Sequence, residues 1–178
     1  MTETGKADDL LPYQENESTS SLHSLYNQAL RRLAQREYGE EELRRKLKGY
    51  SENLADTEAV IDQLKQSGQL SDDRFIEAYI QARVRRGFGP ARISAELYEK
   101  GITQEELEKP LSVWNSSWTS VAKRVIDKKY NQRKLLLAKQ TPEEKAESER
   151  LLVLTQKRFL LYRGFSHTTI QQIFSRKP

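Results

Sequence analysis

Apolar residues along this chain return every third or fourth position instead of alternating, which is the period of an α-helix and not of a strand. From Leu22 onward, Leu25, Tyr26, Ala29, Leu30, Leu33 and Ala34 recur as adjacent pairs four residues apart and mark one helix face. Glu40, Glu41 and Glu42 each stand four residues before Arg44, Arg45 and Lys46, the acid-first spacing of a solvated helix side. The sequence has no alternating run of Val, Ile and Thr and no Asn-Gly or Asp-Gly hairpin turn. Residues 1–21 are polar, contain Pro12 and carry no sustained period, so they read as a disordered tail.

Helix boundaries are marked by residue type. Thr103-Gln-Glu-Glu106 and Thr141-Pro-Glu-Glu144 read as capping boxes, the second with Pro142 at the first helical position. Asp72 and Asp73 follow Ser71 in a predicted first turn, where the helix dipole favours carboxylates. Gly49, Gly68 and Gly101 stand where helices should stop, while Pro110 and Asn115-Ser-Ser117 should interrupt any helix across 103–130.

A short pattern occurs three times. Arg36-Glu-Tyr38-Gly39 is followed by Leu43 and Leu47, Arg86-Gly-Phe88-Gly89 by Ile93 and Leu97, and Arg163-Gly-Phe165-Ser166 by Ile170 and Phe174. Counted from the aromatic, the apolar residues fall at +5 and +9 each time, four apart on one helix face. Upstream the register also holds, except that Gln156 and Lys157 stand in the third copy where the first has Ala29 and Leu30, so the third copy's first helix is expected to pack differently. Each copy describes a helix, a tight elbow and a second helix capped by Gly39, Gly89 or Ser166. Units this small must stack on one another to bury their faces. The predicted fold is all-α, three tandem helical repeats at 22–70, 71–117 and 118–178 in an extended arrangement.

Composition narrows the function. Only 36% of the 178 residues are hydrophobic against 31% charged, and the mean hydropathy is −0.83, which suits thin helical layers. No apolar run exceeds four residues, far short of the roughly 20 that span a bilayer. The N-terminus has no signal-peptide pattern, and the absence of cysteine suits a cytoplasmic protein. The net charge of +4 is uneven: residues 120–178 hold 14 bases and 5 acids, a net of +9.

Catalytic material is scarce. His23 and His167 are isolated, there is no thiolate or spaced metal-ligand set, and neither a phosphate loop nor a nucleophile elbow occurs. No enzyme, metal or cofactor is expected. Lys123, Arg124, Lys128, Lys129, Arg133 and Lys134 recur over about three helical turns and are expected to cover one broad side of a helix. That side is either solvated or a surface for phosphate or carboxylate, and Arg31, Arg32, Arg85 and Arg92 are the next candidates. Arg36, Arg86 and Arg163 can tie down helix-end carbonyls or meet a partner; Tyr38, Phe88 and Phe165 fill the elbows or, alternatively, stack bases. The stretch from Pro90 to Thr103 has the rhythm of a helix-turn-helix, but the acidic helix after it would be repelled by duplex phosphates.

Taken together, Gly68-Gln-Leu-Ser-Asp-Asp-Arg-Phe75, Arg86-Gly-Phe-Gly-Pro90 through Lys100-Gly-Ile102, and Arg158-Phe-Leu-Leu-Tyr-Arg-Gly-Phe165 resemble the bacterial RecX family over roughly residues 24–175. The resemblance implies three three-helix repeats in a curved, extended monomer. It also implies a cytoplasmic regulator that binds the RecA recombinase filament on single-stranded DNA and mostly restrains strand exchange, ATP hydrolysis and coprotease activity. A nucleic-acid binder acting alone and a helical adaptor for another acidic protein are the alternatives.

Overall fold

The structure, a computed structural model, describes residues 17–51, 53–137 and 141–175. Within them the chain forms nine helices and no strand: α1 (Glu17–Leu33), α2 (Glu40–Leu47), α3 (Leu54–Gln66), α4 (Asp72–Arg85), α5 (Pro90–Tyr98), α6 (Gln104–Ser112), α7 (Trp118–Leu137), α8 (Pro142–Tyr162) and α9 (His167–Phe174).

Local chemistry accounts for most of these limits. In α2 three acids occupy the first turn and Arg44, Arg45 and Lys46 the last, complementing the helix dipole, while Leu43 and Leu47 form its buried edge. Ser71 caps α4 by accepting from the Arg74 amide at 3.4 Å, and Phe75, Ile76, Ile80 and Val84 face inward. Thr103 and Glu106 form a reciprocal capping box at the start of α6, the Thr103 amide donating to Glu106 Oε2 at 2.7 Å. Gly39, Gly89 and Ser166 are the N-caps of α2, α5 and α9, as the repeat predicts.

Three expectations need correction. Helix α1 starts at Glu17, inside the stretch read as a tail, because once Leu25 and Ala29 anchor a helix each further residue adds a bond at little nucleation cost; the rest of that stretch, 1–16, lies outside the described residues. Thr141 is the N-cap of α8, with Pro142 in the first turn, but its side chain makes no capping hydrogen bond. Pro110 lies within the last turn of α6, where a missing amide forfeits only one ladder bond, and the break falls at 113–117.

The helices pack in threes: α1, α2 and α3 on one another, then α4, α5 and α6, then α7, α8 and α9. In the first two units the third helix follows the elbow pair. In the last, the elbow joins α8 to α9, and α7 supplies the third helix from the other side of the pair, packing on both. Among the described residues, the buried apolar side chains form two clusters and not three. Leu25, Leu43, Leu47, Ile61 and Leu64 belong to the first unit's core. A second core runs without interruption through the other two units, from Phe75 and Ile80 by way of Trp118 and Ile126 to Leu160, Phe165 and Ile170. In α8, Gln156 is 3% exposed and Lys157 half-buried, matching the buried Ala29 and half-buried Leu30 of the first copy, so the burial register holds where the sequence departs, and the difference lies in which helix packs on the elbow pair.

Candidate functional site

The second and third elbows meet backbone to backbone, and that contact builds the site. Helix α4 ends on Gly87 at φ +79, with Gly87 N donating to Val84 O at 3.0 Å and Phe88 N to Arg83 O at 3.1 Å. Helix α8 ends identically on Gly164 at φ +84, with Gly164 N donating to Leu161 O at 2.9 Å and Phe165 N to Leu160 O at 3.1 Å. These are Schellman ends, which favour glycine in the left-handed region. The elbows then join: Gly89 N donates to Arg163 O at 2.8 Å and Ala91 N to Gly164 O at 3.1 Å. A side chain on Gly89 would collide with the Gly164 carbonyl, and one on Gly87 with Val125 of α7.

Beside this junction lies a groove of about 810 Å³ lined by Arg85, Arg86, Arg124, Val125, Lys128, Lys129, Phe159 and Arg163. Six of the eight lining side chains are cationic and none is acidic. Two are aimed by helix-end carbonyls: Arg163 Nη1 donates to Arg86 O at 2.8 Å and Arg124 Nη2 to Val84 O at 3.1 Å. The Phe159 ring forms part of the wall, with Lys129 Nζ 3.9 Å and Arg163 Cζ 5.0 Å from its centroid. Like charges about 4 Å apart repel by about 1 kcal/mol in water and more near protein. A groove of this composition therefore holds a positive potential that an anion relieves.

The sequence-named cations divide. Arg86, Arg124, Lys128, Lys129 and Arg163 come together here, and Arg85, a reserve candidate, joins them. Lys123 and Arg133 are exposed on α7 but do not line the groove, since at about 100° per residue they point about 170° and 110° away from the middle of the arc that Arg124, Val125, Lys128 and Lys129 present to it. The expected single broad side of α7 is thus corrected: its inner edge, Val121, Ala122, Ile126 and Tyr130, is core, and its cations fan around the remainder. The Lys134 side chain lies outside the described residues.

Arg36 has a different setting. The first elbow has Glu37 where the others have glycine, and Arg36 closes a bidentate pair with Glu42 at 3.0 and 2.9 Å above the Tyr38 ring. Glu42 also accepts from Lys100 Nζ at 2.9 Å. Burial pushes the Glu42 pKa up, but hydrogen bonds from Arg36 and Lys100 outweigh that and hold it at about 2. Arg36 is therefore a neutralised tie between α1 and α2 and is remote from the groove's charge set.

Of the elbow aromatics, Tyr38 and Phe165 are 6% and 3% exposed and fill their elbows. Phe88 fills its elbow less completely than the other two: it packs on the core while only half-buried, with the guanidinium carbons of Arg163, Arg92 and Arg83 at 4.8, 4.9 and 5.6 Å from its centroid. Sequence reading gave no role to Phe159 or Tyr162, although both lie in the stretch that carries the family resemblance. A second cavity of about 600 Å³ lies between the first and second units, but three carboxylates share its lining with four cations, Arg83 pairing with Glu96 at 2.8 Å and Lys100 with Glu42 at 2.9 Å. Among the described residues, no three His, Cys, Asp or Glu side chains gather as a metal set, and no helix is long and apolar enough to cross a membrane.

The family model for the second three-helix domain of RecX matches residues 71–109, which hold α4, the second elbow, α5 and most of α6. The regulatory protein RecX of Escherichia coli strain SE11 is 36% identical over 171 residues, covering 89% of this chain and 96% of the relative. Those of Escherichia fergusonii and of Shigella boydii serotype 4 match at the same identity and coverage. The crystal structure of RecX from Lactobacillus salivarius superposes with a TM-score of 0.70 at 21% identity, covering 88% of this chain and 96% of that one. A second crystal structure, of a regulatory protein RecX, gives 0.70 at 17% identity over 98% of this chain and 83% of that one. At those identities the solved structures speak for the all-helical repeat fold, and the curated relatives speak for the lineage: the chain belongs to the RecX family of regulatory proteins.

Proposed function

We propose that the protein is a non-catalytic regulator that binds RecA recombinase filaments on single-stranded DNA and mostly restrains their ATPase, strand-exchange and coprotease activities. It acts in the cytoplasm as a monomer built from the units 22–70, 71–117 and 118–178. Family membership supports the partner, and the observation that carries the contact surface is the groove: six cations from two units and no carboxylate in its lining. A filament on DNA presents a dense row of phosphates, the complement of such a surface. Three of the cations, Arg124, Arg163 and Lys129, are held by helix-end carbonyls or the Phe159 ring, which lowers the ordering cost when the partner docks.

The test is the ATPase of RecA filaments titrated with wild type and with the Lys128→Ala, Lys129→Ala double variant across a salt series. Loss of two phosphate contacts should weaken the effect on the filament and make the slope of log affinity against log salt shallower by about 1 to 2. If the groove meets RecA carboxylates, affinity should fall with little change of slope. Filament binding and salt dependence equal to wild type would remove the groove from the contact surface.

A further inference from the structure

Tyr162, the residue before the groove cation Arg163, ends α8 with 74% of its surface in water. It is one of the two most exposed large hydrophobic side chains described, and a ring so placed at a helix end contributes little to the core. A chain of ring and guanidinium contacts links it to the groove. Arg163 lies 4.8 Å from the Phe88 ring centroid, Arg92 lies 4.9 Å from the same ring, and Arg92 also lies 5.5 Å from the Tyr162 ring. End to end, these spacings place the Tyr162 ring within about 15 Å of the groove cation Arg163. Arg92 keeps an ion pair with Glu96 at 3.1 Å, which steadies the guanidinium beside Tyr162.

We propose that the groove and Tyr162 form one track for single-stranded nucleic acid, the groove cations holding phosphates and the Tyr162 ring stacking an unpaired base. This rests on the groove being the contact surface and specifies its ligand. A lining with six cations and no acid recognises a polyanion, and an exposed aromatic a few residues' width away adds what a polyanion alone does not use: a flat apolar face. Base-on-aromatic stacking is the sequence-tolerant way proteins hold single strands. A duplex keeps its bases stacked internally and offers this ring nothing. An acidic peptide would satisfy the cations but not distinguish Tyr from Ala at 162.

The test is fluorescence anisotropy of the full-length protein, without RecA, on a labelled oligothymidylate and on an abasic oligomer of equal length and charge. Wild type should bind the oligothymidylate more tightly. Tyr162→Ala should weaken that binding about 5- to 100-fold, leave the abasic strand unaffected and leave the salt slope unchanged, since no phosphate contact is lost. Tyr162→Phe should retain most of the affinity. Equal binding of both strands by wild type, or an equal loss on both in Tyr162→Ala, would overturn the stacking site while leaving the groove intact. Binding of neither strand, or displacement of both by polyglutamate at matched charge, would overturn the groove's nucleic-acid role and the track with it.

Discussion

Gly89→Ala isolates the docking of the two elbows from every other feature of the repeat. Gly89 caps α5 at φ −92, a backbone setting alanine adopts freely, so any cost comes from what its Cβ meets. That atom would collide with Gly164 O and lie 2.5 Å from Gly164 C and 2.6 Å from Phe165 N, all backbone atoms that cannot rotate aside. The elbows must separate, breaking Gly89 N to Arg163 O and Ala91 N to Gly164 O, at about 1 kcal/mol each. Strain from overpacking adds about 1–3 kcal/mol, for a total of about 3–5 kcal/mol. Gly49→Ala is the control: its Cβ meets nothing within 4 Å and its φ is not positive, so it should range from neutral to about 1 kcal/mol more stable. Urea unfolding followed by tryptophan emission reads the affected core, because Trp114 and Trp118 both pack in it. At about 2 kcal/mol per M, Gly89→Ala should lower the midpoint by about 1.5–2.5 M. The same shift should spread Arg85 and Arg86 away from Arg163 and weaken oligonucleotide binding. A Gly89→Ala midpoint matching that of Gly49→Ala would refute the account of the junction.

Two further expectations concern the first unit. Its core is separate, and it joins the second unit through polar ties such as Glu40 N to Asp72 Oδ1 at 2.7 Å, Arg74 to Glu37 at 3.0 Å and Lys100 to Glu42 at 2.9 Å. It should therefore open at lower urea than the rest, so far-ultraviolet circular dichroism, which sees all helices, should begin to fall before tryptophan emission does; coincident curves would contradict the two-core reading. Glu42, held at about 2 against an ordinary 4.5, contributes stability that is present above 4.5 and lost as pH falls towards 2. Helix content should weaken across that window, and Glu42→Gln should be less stable at neutral pH with a flatter acid limb, an outcome that parallel curves would exclude.

The helical repeat is legible in the sequence because its signals are local. Gly39, Gly89 and Ser166 cap helices through their own backbones or side chains, and Leu43 with Leu47 or Ile93 with Leu97 need only a 3.6-residue period to share a face. Where tertiary contact decides, sequence reading fell short. Pro110 reads as a helix breaker, yet α6 continues two residues past it to Ser112. The merging of two predicted repeats into one core follows from the docking of their elbows, Gly89 N on Arg163 O at 2.8 Å, between positions 74 apart that no periodicity connects.

The site was legible as a charge excess and illegible as a shape. A run such as Lys128-Lys129 announces positive charge, but on a helix neighbouring positions point in different directions, so density along the chain does not give density in space. The groove arises because α4 and α8 both end in an Arg followed by a left-handed glycine, and those ends dock on each other. Arg86 and Arg163, distant in the chain, are thereby brought to one wall, while Arg36 is withdrawn because its elbow has Glu37 in place of that glycine and Glu42 within reach. The repeat motif thus carries two meanings. Its aromatic and cap build each unit, whereas its arginine becomes available to a partner only where glycine lets one elbow meet another and no carboxylate is near enough to claim it.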